Sequence, residues 1–134
     1  MPSNVLQITP FMHVPDIDAA IAFFTDILGF TCPYRIADYG YVELEGAGLR
    51  MLQNHGEDGA PPGNRRCSYY IDVRDVDATY LALKPKLDTL PAGDVFGPVD
   101  QHYHQRELMV LAPDGNLIVF GQAIAPGKDI AQSD

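Results

Sequence analysis

The chain has 134 residues, 46% of them hydrophobic, with 18 acidic against 9 basic side chains and a formal net charge of −9. Such a length suits one compact domain or two small modules sharing a core, and such a charge opposes binding to a phosphate backbone while favouring a cationic guest. No apolar run reaches membrane-spanning length, no basic stretch precedes an apolar block at the N-terminus, and the two cysteines, Cys32 and Cys67, form no disulfide framework, so reduced thiols in a cytoplasmic protein are expected.

The first predicted element is a strand from Val5 to Val14. Alternation puts Ile8, Pro10, Met12 and Val14 on one face and Thr9, Phe11 and His13 on the other. Asp16 has the character of a helix N-cap, and Asp18 adds a carboxylate in the first turn. Ile17, Ala20, Ile21, Phe24, Ile27 and Leu28 keep helical period, and Gly29 supplies the stop. Strands follow near Thr31 to Ile36, Tyr39 to Glu45 and Leu49 to Gln53, with turns at Ala37-Asp38 and Gly46-Ala47-Gly48. In the middle one Val42 and Leu44 oppose Tyr39, Tyr41, Glu43 and Glu45.

Residues 55–65 carry Gly56, Gly59, Pro61, Pro62 and Gly63 without apolar periodicity, and read as a linker between repeats 5–54 and 66–122. The second repeat opens with a strand from Arg66 to Val73, where Tyr69, Ile71 and Val73 oppose Ser68, Tyr70 and Asp72. Asp75 repeats the N-cap, Val76, Thr79, Tyr80 and Leu83 repeat the stripe, and Pro85 is expected to shorten the helix. Strands near Asp94 to Val99, Arg106 to Leu111 and Asn116 to Phe120 complete it, with a turn at Ala112-Pro113-Asp114-Gly115. Residues 1–124 then form the domain, and 125–134 a loose tail.

The two halves share a phrase. Val14-Pro15-Asp16-Ile17-Asp18-Ala19 returns 59 positions later as Val73-Arg74-Asp75-Val76-Asp77-Ala78, which indicates duplication of a supersecondary unit. The expected fold is α+β: two βαβββ modules in a cupped, mixed, eight-stranded arrangement with helices on the outer face. The apolar strand sets meet the helices. The mixed sets, rich in tyrosine, hydroxyls and acids, line an open face suited to a partly apolar, polar-edged ligand.

Three stretches carry a family resemblance. Asp16 to Phe24, continuing to Leu28-Gly29-Phe30, is similar to a helix pattern D-x-x-A-x-x-F-Y ending in L-G-F. Tyr103-His104-Gln105-Arg106-Glu107-Leu108 is similar to W-G-x-R-E-F, and Ala112-Pro113-Asp114-Gly115-Asn116 to D-P-D-G-N. Over about residues 5 to 122 the chain resembles the vicinal oxygen chelate superfamily of glyoxalases, extradiol dioxygenases and bleomycin resistance proteins. Its enzymes hold a divalent metal through His or Glu on the first and last strands of each module. Those positions here fall on Thr9, Leu52 (Met51 if the register slips), Ser68 and Val119, which do not make a divalent-metal site.

The resemblance therefore implies the metal-free bleomycin resistance branch: a homodimer that sequesters a cationic or aromatic, antibiotic-like molecule between chains, with no cofactor and no catalytic residue. Candidate ligand contacts are Phe11, His13, Tyr39, Tyr41, Glu43, Tyr70, Asp72, Tyr103, His104, Arg106 and Glu107. Arg106 and Glu107 have an alternative reading as a structural ion pair. The alternative function is a metal-dependent lyase, isomerase or dioxygenase with an atypical site near His13, His102 and His104, since the last two would face one way if they stood on a strand, although a loop before the strand is their expected setting. No nucleophile elbow, phosphate loop or zinc pattern appears.

Overall fold

Asp16 and Asp75 each turn the chain from extended backbone into helix by the same bond: Oδ1 of Asp16 accepts the Ala19 N–H at 3.1 Å, and Oδ1 of Asp75 accepts the Ala78 N–H at 3.0 Å. The computed structural model describes residues 4, 6–54 and 68–125, and these fall into two compact units, one within each repeat. Val5, the linker 55–65, Arg66, Cys67 and tail residues 126–134 lie outside the described residues.

The first unit runs β1 (Phe11–Val14), α1 (Ile17–Ala22), a π-helical turn (Phe23–Ile27), β2 (Thr31–Ile36), β3 (Tyr39–Leu44) and β4 (Ala47–Gln53). Its sheet has the order β1-β4-β3-β2, with β1 parallel to β4 and the other pairs antiparallel. The second unit repeats the plan as β5 (Ser68–Asp72), α2 (Val76–Leu87), β6 (Val95–Asp100), β7 (Gln105–Leu111) and β8 (Leu117–Ala123), ordered β5-β8-β7-β6 with β5 parallel to β8. The βαβββ order expected twice is present twice, in two four-stranded mixed sheets.

In each unit the last strand lies beside the first and reaches back to the helix. Gln53 Oε1 accepts the Ile17 N–H at 2.8 Å, and Gln122 Oε1 accepts the Val76 N–H at 2.9 Å. Each thereby satisfies a backbone donor that the first helical turn leaves open. Met12, Val14, Ile17, Phe24, Leu28, Val42 and Met51 are buried in the first unit, and Val76, Leu87, Leu108, Val110, Ile118 and Phe120 in the second.

Several boundaries differ from the sequence expectation. Pairing in the first strand begins at Phe11, and Ile8, assigned to the inner set, is 94% exposed. The first helix changes after Ala22 to π geometry, in which the Leu28 N–H reaches the Phe23 carbonyl at 3.2 Å. The wider turn lets the adjacent Phe23 and Phe24 both be buried, whereas strict helical period placed only Phe24 inward. The β3–β4 turn is Glu45-Gly46, not Gly46 to Gly48, with φ of 50° and 86°, the paired positive values that a two-residue hairpin requires.

Pro85 sits inside α2 without ending it, and the helix continues to Leu87. The residue lies in the last turn, and the Asp88 N–H still finds the Lys84 carbonyl at 2.8 Å, so only the proline's own donor is lost. β8 extends past Phe120 to Ala123, paired with Gln105, so the tail begins after a longer strand than expected.

Candidate functional site

Period-two alternation gives each sheet an inner face, packed on its helix, and an opposite face turned away from the helix, which is the open face expected from the sequence and is termed the outer face. In the first unit Met12 and Val14 are buried, while Phe11 is 49% exposed and His13 is half-buried. Register aligns Phe11 with Arg50, His13 with Leu52, Tyr39 with Leu52, Tyr41 with Arg50 and Tyr34 with Tyr41. The outer face thus gathers an aromatic cluster with edge contacts. Phe11 meets His13 at 5.4 Å and Tyr39 at 6.4 Å between ring centroids, and Tyr34 meets Tyr39 at 6.1 Å. Asn54 Nδ2 lies 3.3 Å from His13 Nδ1.

Arg50 enters this cluster as a cation. Its guanidinium donates to the Tyr39 hydroxyl and sits 5.2 Å above the centre of the Tyr41 ring. Tyr41 in turn occupies the space that a side chain at residue 48 would fill, so Gly48 is the place that admits the ring. Glu43 is half-buried and aligned with Gly48.

On the second unit's outer face, Tyr70, Val119, Met109 and Phe96 form one cross-strand row, and Asp72, Gly121, Glu107 and Val99 form the next. The phenol end of Tyr70 lies where a Cβ on Gly121 would be, and its hydroxyl donates to Gln105 Oε1 at 2.8 Å. Tyr70 remains 45% exposed. Glu107 is buried, and its carboxylate accepts the Tyr103 hydroxyl at 3.0 Å on each oxygen and Gln101 Nε2 at 3.2 Å. Burial foremost, then the Glu107 carboxylate, raises the phenols of Tyr70 and Tyr103 above the usual tyrosine range.

Arg106 is turned to the other face. Its Nε and second amino group meet Asp100 at 2.6 and 3.3 Å, and its remaining nitrogen meets Asp77 at 2.9 Å. This clamp joins α2, β6 and β7, holding the Asp100 carboxyl below the ordinary aspartate range. The ion pair that orders this region is therefore Arg106 with Asp77 and Asp100, and Glu107 has no part in it. Neighbours on a strand face opposite ways, a signal already present in the sequence.

His102 and His104 lie in a loop before the strand, as expected. They flank Tyr103 in the turn before β7, His104 with φ of 66°, and the His102 ring contacts Tyr103 edge-on at 5.1 Å. Among the described residues no three His, Cys, Asp or Glu side chains lie close enough together to hold a metal ion. At the positions where a metal would be ligated, register settles on Leu52 for the outer face, because Met51 is buried toward α1. Thr9 is half-buried, Ser68 is exposed, and Val119 is buried. Two hydroxyls and two hydrocarbon side chains do not fit a divalent ion.

Sequence reasoning did not find Tyr34, Arg50, Gln101, Gln105, Gly48 or Gly121. Tyr34 and Arg50 share the parity of Tyr41, so extending alternation to the neighbouring strands would have reached them. The glycines depend on diagonal contacts between strands, which a single strand's pattern does not encode.

Comparisons agree with this architecture. The family model described as Glyoxalase/Bleomycin resistance protein/Dioxygenase superfamily matches residues 6–120. A bleomycin resistance protein of Geobacillus stearothermophilus is 29% identical over 135 residues, covering 90% of this chain and 98% of that one. The bleomycin-binding protein of Streptomyces verticillus, solved with copper(II)-bleomycin, superimposes with a TM-score of 0.69 at 22% identity, covering 93% of this chain and 100% of that one. TnmS3, an antibiotic-binding protein from a Streptomyces species, superimposes with a TM-score of 0.62 at 23% identity, covering 90% and 99%. The two superpositions establish the fold.

Proposed function

The chain belongs to the Glyoxalase/Bleomycin resistance protein/Dioxygenase superfamily, and from that premise we propose that it binds an antibiotic-like small molecule, aromatic or cationic, and acts by holding it. The observation that carries this reading is the cladding of both outer sheet faces. Phe11, Tyr34, Tyr39 and Tyr41 supply ring surface on one, and Tyr70 and Tyr103 on the other, with Glu43, Asp72 and Glu107 beside them. Rings give contact area at low entropic cost, and carboxylates attract a positive charge. The net charge of −9 adds long-range attraction.

Of the candidate contacts, His13 borders these rings, His104 follows Tyr103 in the turn before β7, and Arg106 acts from behind by fixing β7, the strand that carries Glu107. Relatives whose names record bleomycin resistance or bleomycin binding make that drug the first ligand to try. Bleomycin titrated into the protein should raise the melting temperature progressively, as a ligand specific to the folded state must. A melting temperature indifferent to bleomycin and to other cationic or aromatic antibiotics, with no heat of binding by calorimetry, would overturn the reading. The working unit is proposed to be a homodimer, which sedimentation equilibrium tests by returning twice the chain mass.

A further inference from the structure

The two outer faces contain the same local arrangement at unrelated positions, and only one of the two is complete. On the first, Tyr41 lies across Gly48, and the planar guanidinium of Arg50 sits over the ring. On the second, Tyr70 lies across Gly121, pinned at its hydroxyl by Gln105, and no cation among the described residues covers it. Acids surround this second ring instead. Asp72 is aligned with Gly121 on one side and Glu107 on the other.

Glu107 sharpens the asymmetry. It is 4% exposed, yet the groups that hydrogen-bond to it, from Tyr103, Gln101 and Tyr70, are all neutral. A buried carboxylate is costly without a positive partner. The nearest basic residue in sequence, Arg106, is spent on Asp77 and Asp100 on the opposite face.

We propose that Tyr70, seated on Gly121, is the stacking platform for a planar cation, such as a guanidinium or an N-alkylated heteroaromatic ring, whose charge lies beside Asp72 and Glu107. Gly121 is then a positioning residue: any side chain there displaces the ring. This rests on the small-molecule-binding reading and narrows its guest to a flat cation.

The test compares N-methylacridinium with acridine, near-isosteres that differ in charge, at mildly alkaline pH where acridine is neutral. The wild-type protein should bind the cation about ten-fold tighter. Tyr70→Phe should keep that preference, and Tyr70→Ala should abolish it. Gly121→Ala should abolish it too, and should cost nothing further in the Tyr70→Ala background, because it acts through that ring. Before any ligand is added, the Gly121 Hα resonances should show a ring-current displacement that Tyr70→Ala removes.

Equal affinity for the two compounds, a preference that survives Tyr70→Ala, or additive losses in the double variant would overturn the proposal. Should Gly121→Ala fail to fold, the Tyr70 variants and the resonance shift still decide. A Tyr70-dependent preference alongside indifference to bleomycin and to other cationic or aromatic antibiotics would uphold the platform and sink the sequestration reading. Bleomycin binding without any Tyr70-dependent preference would do the reverse.

Discussion

The Tyr103 hydroxyl lies 3.0 Å from both carboxylate oxygens of Glu107, bridging a half-exposed ring in a turn to a buried acid on β7. A buried acceptor that loses a donor costs more than the bond's own net worth. Tyr103→Phe should therefore lower the urea midpoint without changing the slope of the transition, since no extra surface is exposed. An unchanged midpoint in equilibrium denaturation would show that the bridge adds nothing to stability.

Tyr70 and Tyr103, two of the seven tyrosines, should ionise above the ordinary tyrosine range, through burial first and the Glu107 carboxylate second. The folded state holds each of these phenolic protons more tightly than the unfolded chain does. Their contribution to stability is complete below the ordinary tyrosine pKa, about 10, and is lost as pH climbs through the raised folded value. Absorbance titration near the phenolate band should show a late-ionising fraction. Glu107→Gln should shrink the delay but leave the part due to burial.

Gln53→Ala and Gln122→Ala should each destabilise by about 1–3 kcal/mol, the cost of leaving a buried backbone donor without its partner. Chemical denaturation of the two single variants tests this. Glutamate at either position should restore most of the loss, because it still accepts the N–H and suits the positive end of a helix.

Asp100→Asn should weaken the clamp on Arg106 at neutral pH and be nearly silent in strong acid. The folded Asp100 carboxyl is held below the ordinary value by Arg106. Its contribution is thus complete above about pH 4 and disappears as pH falls through the depressed folded value. Midpoints of the variant and wild type should converge on acidification, and a gap that stayed constant with pH would exclude the linkage.

Much of the architecture was legible because it rests on short-range patterns. The alternation of Phe11, Met12, His13 and Val14 separates the two faces of β1, and Asp16 and Asp75 announce their helices. The π-helical turn was not legible, because it depends on Phe23 and Phe24 both finding room in the core. Pro85 was misleading for a related reason: its cost depends on which helical turn it occupies. The site was legible in part. Single-strand parity placed Tyr39, Tyr41 and Tyr70 on the outer faces and, carried to β4, reaches Arg50, but Gly48, Gly121 and Gln105 seat the rings from neighbouring strands whose register no local pattern states.

The glutamine contacts also bear on how the chain acquires its shape. Ile17 receives its cap from a residue 36 positions downstream, and Val76 from one 46 positions downstream. Each helix is thus begun by an aspartate beside it and finished by the far end of its own module. On the ribosome, neither module can close before its last strand has emerged, so a nascent chain halted short of Gln53 or Gln122 carries an unsealed helix and an unpaired first strand.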